Sequence, residues 1–212
     1  MGFLAAIEKE VHGSPATSPC DITVTGLTAG NQMVLYVLQG ATYGGFATIT
    51  SLGDWTVLAT NGLAVSMDYR AYLKTFDPDT DGTVSIAFTG GTPVLVAALI
   101  VAFDDLGTFE QALGASGATS TTGTTALSLY RYLMCWYRPY EITPATGMVD
   151  LVQTDFSGQL GASGLVVQDL DLEGPGSLSQ YTLPNGDVTS ASRGLIFATV
   201  IPYGGGNWAW LG

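Results

Sequence analysis

Residues 82–104 read GTVSIAFTGGTPVLVAALIVAFD. In the first part, Val84, Ile86 and Phe88 recur every second residue between small or polar neighbours. That is the period of a strand with one face in a core and one in solvent. After Gly90, Gly91 and Pro93 the pattern changes: residues 94–104 are apolar on both faces. A strand of this kind sits in the middle of a sheet or is covered on its outer face.

Working outward, the same grammar repeats. Strand-like runs occupy 20–26 (CDITVTG), 31–39 (NQMVLYVLQ), 46–51 (FATITS), 54–60 (DWTVLAT) and 64–76 (AVSMDYRAYLKTF). Gly, Asn and Asp mark most boundaries, at the roughly 8–12-residue spacing of sandwiches and barrels. Beyond a break at 105–125, further runs cover 126–138, 146–156, 162–173, 178–183 and 192–203. Two short segments read differently. Phe3, Leu4, Ile7 and Val11 have helical spacing, which predicts a short amphipathic helix over 3–11, and Asp105–Leu113 also reads as a short helix.

The two halves echo each other. QMVLYVLQ parallels LYRYLMCWY, DWTVLAT parallels GMVDLVQT, AVSMDYRAYL parallels ASGLVVQDLDL, and VLVAALIVAF parallels RGLIFATVIPY, all offset by roughly 93–99 residues. About five strands per half make one sheet with an apolar face, and two such sheets placed back to back bury it. The expected fold is therefore all-β: a two-sheet antiparallel β-sandwich, jelly-roll-like, with an internal two-fold sequence echo. The expected organisation is an N-terminal arm at 1–19, a sandwich at 20–203 with half-repeats of about 20–105 and 120–203, and a Gly-hinged Trp tail at 204–212.

Composition narrows the function. Of 212 residues 47% are hydrophobic and only 11% charged, and six basic against eighteen acidic residues leave a net charge of −12. No cluster of Lys or Arg is present to neutralise phosphates, so nucleic acid and anionic membranes are excluded as partners. No run reaches the roughly 18 apolar residues of a membrane span, and the N-terminal apolar run is too short for a signal peptide. Cys20 and Cys135 stand in apolar surroundings and read as small hydrophobes rather than as a disulfide.

Catalytic groups are scarce, and no enzymatic activity is expected. The single histidine, His12, lies in the arm, far from a nucleophile that it would have to serve. Asp169, Asp171 and Glu173 alternate on one strand; they read as a solvated acidic face, with a two-carboxylate hydrolase as the alternative. Asp77, Asp79, Asp81 and Gly82 match the first half of a calcium loop, but the twelfth position is Phe88, so a hairpin turn is the simpler reading and weak Ca²⁺ binding the second. No other cofactor is indicated.

Apolar side chains at the ends point to partners. Phe3, Leu4 and Ile7 in the arm and Trp208, Trp210 and Leu211 after Gly204–Gly206 have surface to bury on a neighbour. Trp136, Tyr137 and Tyr140 crowd another segment, as core or as a platform for a host-surface glycan.

Three passages carry a family resemblance: LGDWTVLA after FATITS, AVSMDYRAYL before a Thr-Val-Ser strand, and VLVAALIVAFDDL closing the half, with GLIFATVIPY ending the second half in a similar way. Over roughly residues 20–203 the chain resembles the β-sandwich minor tail and other virion structural proteins of tailed phages, especially actinobacterial ones. The resemblance implies a structural subunit of a virion assembled in the host cytoplasm, a minor tail or tail-tip protein or a capsid decoration, contacting other virion proteins or itself as a homo-oligomer. A carbohydrate-binding or adhesion module is the alternative.

Overall fold

The computed structural model describes residues 3–12, 16–41, 45–64 and 67–104, and beyond them only strand backbone between residues 109 and 200. The first part contains β1 (Phe3–His12), β2 (Cys20–Thr23), β3 (Gln32–Ala41), β4 (Thr48–Ser51), β5 (Thr56–Ala64), β6 (Met67–Thr75), β7 (Thr83–Thr89) and β8 (Pro93–Phe103). They form two antiparallel sheets, one of five strands in the order β1-β8-β3-β6-β5 and one of three in the order β2-β7-β4. None of the described residues is helical.

The alternation in the sequence shows which side chains meet. Val84, Ile86 and Phe88 of β7 and Cys20 and Ile22 of β2 form the inner face of the three-stranded sheet. They share one apolar cluster with Met33, Leu35 and Val37 of β3 and Val96, Ala98, Ile100 and Ala102 of β8. Full burial of each larger aliphatic or aromatic member contributes about 1.5–3 kcal/mol relative to exposure. Cys20 belongs to this core as a free thiol, and burial pushes its pKa up to about 11. It is a small hydrophobe, as its surroundings in the sequence suggest.

The residues between these on β3 and β8, namely Val34, Tyr36, Leu38, Leu95, Leu99, Val101 and Phe103, are equally buried, so the chain also covers the other face of its five-stranded sheet. The doubly apolar run expected at 94–104 is thus an inner strand, with β1 on one side and β3 on the other. One expectation is corrected. The first half does not consist of a single sheet awaiting the second half, because β2, β4 and β7 separate into a layer of their own and close a core within residues 16–102.

The expected helix at 3–11 is also corrected. Residues 3–12 are the edge strand β1, paired with β8 from Phe3↔Phe103 to His12↔Leu95. The physical reason lies in β8. Its backbone amides and carbonyls are buried on both faces and need partners on both edges. A strand also serves the apolar side chains: Ala5, Ile7 and Val11 share one face and pack on the core, and the Phe3 ring meets Phe103 edge-on at 6.2 Å.

The second part contains β9 (Phe109–Gly114), β10 (Thr119–Ser120), β11 (Thr124–Thr125), β12 (Leu129–Arg138), β13 (Val149–Gln153), β14 (Phe156–Gly158), β15 (Gly161–Glu173), β16 (Gly176–Ser177), β17 (Tyr181–Thr182) and β18 (Gly194–Val200). Of the helix expected over 105–113, residues 109–113 belong instead to β9, which pairs with β18, and residues 105–108 lie outside the described residues. The larger sheet runs β9-β18-β12-β15-β13, with β14 added to β15, while β10·β17 and β11·β16 form two-stranded ladders. Its order repeats that of the first sheet, and the echoed sequences fall on matching strands: β3 on β12, β5 on β13, β6 on β15, β8 on β18. The registers match as well. Tyr36 stands between Ala71 and Leu99, and Leu133 stands between Asp169 and Phe197.

At the β7–β8 turn, Gly91 has φ +61°, and a Cβ there would collide with the Phe46 carbonyl. Thr92 N–H donates to the Gly45 carbonyl at 2.6 Å, clamping the two loops together. Gly82 has open space around it. Gly91→Ala is expected to lower stability by roughly 2 kcal/mol or more, and Gly82→Ala by under about 1 kcal/mol. Urea unfolding of the two variants checks this; equal midpoints would show that the close approach at Gly91 is dispensable.

Candidate functional site

The Asp-rich segment 77–82 links β6 to β7. Asp77 Oδ1 accepts from the Asp79 N–H at 3.0 Å, and the Asp77 carbonyl accepts from the N–H groups of Thr80 at 3.2 Å and Asp81 at 2.8 Å. These are the side-chain and main-chain bonds by which aspartate makes a tight turn. The chain before the turn is tied to the loop after β2, because Phe76 N–H donates to the Asn31 carbonyl at 2.7 Å and Gly30 N–H to the Phe76 carbonyl at 3.2 Å.

Asp81 closes the turn. Its Oδ2 accepts from the Asp77 N–H at 2.8 Å. Its Oδ1 accepts from Lys74 Nζ at 2.5 Å and from the Thr80 hydroxyl at 3.2 Å. Lys74 Nζ also lies 2.8 Å from Asp54 Oδ1. The three charges differ in exposure: the side chains of Lys74 and Asp81 are 10% and 6% exposed, that of Asp54 75%. A buried carboxylate is tolerated only with a partner, and Lys74 is that partner.

An ammonium thus stands where the sequence leaves room for a cation. Asp77, Asp79 and Asp81 are joined through backbone N–H groups rather than around a shared centre, and among the described residues no three His, Cys, Asp or Glu side chains converge as metal ligands. Phe88, at the position where a calcium loop needs its bidentate acid, belongs to the core.

The turn Leu52–Trp55 faces this hairpin. Gly53 has φ +59°, a conformation natural to glycine, and Trp55 N–H donates to the Leu52 carbonyl at 3.2 Å. Leu52 and Trp55 pack against the core while Asp54 projects. An open groove lies between turn and hairpin, bounded also by Thr80, Thr83 and Ser85. The Ser85 hydroxyl donates to Asp21 Oδ1 at 2.6 Å. Sequence reasoning singled out the aspartates but missed Lys74, Asp54 and Trp55. The available signal was Lys74 itself, one of two lysines in the chain, placed in a strand that leads into three aspartates.

A second buried polar group is structural. The Gln39 amide bonds both ways with the Ala47 backbone, at 3.2 and 3.1 Å, and its Nε2 reaches Asp68 Oδ2 at 3.5 Å. Arg70 Nε holds the same oxygen at 3.0 Å. This arrangement fixes the segment that leads into β4 to the five-stranded sheet.

The remaining sequence candidates are scattered. Phe3 and Leu4 are 38% and 45% exposed on the edge strand, whereas Ile7 packs on the core. His12 ends β1 opposite Leu95. Trp136 and Tyr137 are placed on β12 as backbone, opposite Val166 and Leu165. Asp169, Asp171 and Glu173 take register positions opposite Leu133, Arg131 and Leu129. Tyr140, Trp208, Trp210 and Leu211 lie outside the described residues.

The ion triad sets a pH window. Burial pulls the Lys74 ammonium down, but its bonds to Asp54 and Asp81 outweigh this and hold it above the ordinary 10.5. Chiefly through its bond to Lys74, the Asp54 carboxyl is held below the ordinary 3.8. A raised lysine stabilises the fold below its unfolded value and stops doing so as pH rises through the folded one; a lowered aspartate stabilises above its unfolded value and stops as pH falls. Stability from the triad is therefore expected to hold between these limits and to fall above pH 10.5 and below pH 3.8. Lys74→Met strands Asp81 and is expected to cost about 3 kcal/mol at neutral pH, with adding Asp81→Asn recovering part of it. Urea midpoints against pH check both; a Lys74→Met variant as stable as wild type would refute the pairing.

No protein-family model matches the chain, and neither a curated protein nor a solved structure does.

Proposed function

We propose that this chain is a structural subunit of a tailed-phage virion, a minor tail or tail-tip protein or a capsid decoration, built as a β-sandwich of jelly-roll type. The resemblance over residues 20–203 supports the class, and the edge strand β1 supports assembly as the mechanism. Phe3 and Leu4 expose 38% and 45% of their surfaces at one end of that edge. Large apolar residues on an unpaired strand edge invite pairing or docking, and proteins guard such edges with charge. Glu8 and Lys9, both exposed, guard the middle of β1. Lys9 does so from the same strand face that carries Ile7 and Val11. The docking contact is therefore assigned to the Phe3–Leu4 end, against another virion protein or a second copy.

The ion-paired and hydrogen-bonded groups fit the same role. Lys74, Asp81, Gln39, Asp68 and Arg70 are engaged in pinning loops to sheets, as a rigid spacer in a particle requires.

Leu4→Asp is expected to reduce incorporation into purified particles roughly ten-fold, as removal of a contact hot spot does, while the isolated subunit melts as wild type. Quantitative mass spectrometry of particles reads the result. Undiminished incorporation of Leu4→Asp would exclude the β1 contact, and absence of the wild-type chain from particles would exclude the virion role.

A further inference from the structure

We infer that the groove between the Leu52–Trp55 turn and the β6–β7 hairpin binds one ring of a neutral glycan. The groove holds about 230 Å³, below the roughly 300–1,000 Å³ of pockets that take larger organic ligands, so it suits a single sugar unit. Its lining is of two kinds. Leu52 and Trp55 supply apolar and aromatic surface, with Trp55 half-buried against the core and thereby held in place. Asp54 lines the groove from the same turn, and Lys74 and Asp81 line it from β6 and the hairpin. An indole bordering an ion-paired carboxylate and ammonium fits a pyranose, whose C–H surface is apolar and whose rim is hydroxyl.

The donor and acceptor inventory selects the ligand class. An ammonium has three N–H donors, and two of those on Lys74 point to Asp54 and Asp81. The Thr80 and Ser85 hydroxyls give their protons to Asp81 and Asp21, which leaves their oxygens to accept. Asp54, 75% exposed, offers carboxylate acceptors at the rim. Vicinal sugar hydroxyls, each both donor and acceptor, can therefore span ammonium and carboxylate. Charge excludes the competitors. One lysine against two aspartates leaves the groove net negative, which repels phosphates, sulfates and acidic sugars, and Lys74 already fills the cation position. The inference is independent of the virion reading and uses different residues from Trp136, Tyr137 and Tyr140.

Methyl glycosides of glucose, galactose, mannose and N-acetylglucosamine, titrated into the full chain by NMR, test it. At least one is expected to shift the Trp55 indole resonance saturably, with Kd on the order of 1 mM for a single ring. Asp54→Ala is expected to weaken binding about ten-fold or more, with the chain still folded at the titration temperature because the buried Lys74–Asp81 pair is kept. Trp55→Phe is expected to weaken it by a smaller factor, because the aromatic contact is reduced rather than removed. No response of the indole to any of the four at about 20 mM would overturn the inference. So would binding that survives Asp54→Ala at wild-type strength, which would place the glycan elsewhere on the chain.

Discussion

Strand β8 is apolar on both faces, and its side chains from Leu95 to Phe103 are buried. This constraint organises the rest of the described structure. A strand with no polar face has no solvated side, so its main-chain groups must be paired on both edges and its side chains covered above and below. β3 serves one edge and β1 the other. The three-stranded sheet covers one face through Val84, Ile86 and Phe88. The other face is covered by the chain as well, since Leu95, Leu99 and Phe103 are fully buried. Without β8, β1 would have no ladder to join and β7 would lose part of the surface it packs against.

Because so few charges are available, each described ion pair has a local task. Lys74 neutralises the buried Asp81 and reaches out to Asp54, so one ammonium ties a turn, a hairpin and a strand together. Gln39, Asp68 and Arg70 do the equivalent at the β3–β6 pair, where the amide of Gln39 replaces a missing strand partner for Ala47. Isolated surface ion pairs contribute little. These contribute more because one partner in each is withdrawn from water and would be left unsatisfied if the other were removed.

The repetition of strand order between the two larger sheets gives the sequence echo a physical basis. Equal order and equal register at the central strands place β3 and β12, then β8 and β18, in the same positions within their sheets. Inner strands need apolar residues on both faces whatever the rest of the sheet does, so the pattern recurs there even where residue identity does not.

The sequence by itself determined the all-β class, the positions of β2 to β8 and of β12, β13, β15, β17 and β18, and the inner place of residues 94–104, but not β1, β9, β10, β11 or β16. Those properties follow from period-two patterning and turn residues, which act over a few neighbours. The turn at Asp77–Gly82 was legible for the same reason. Tertiary structure decided what local pattern left ambiguous. Phe3, Leu4, Ile7 and Val11 satisfy helical spacing and, with Ala5, strand spacing too; the open edge of β8, some 90 residues away in sequence, selected the strand. The separation of β2, β4 and β7 into their own layer depended on which sheet could bury their inner faces. Lys74 acquired its role only when the Leu52–Trp55 turn and the hairpin came together around it. A pairing across the fold leaves no period in the sequence, which is why the groove was invisible until the sheets were assembled.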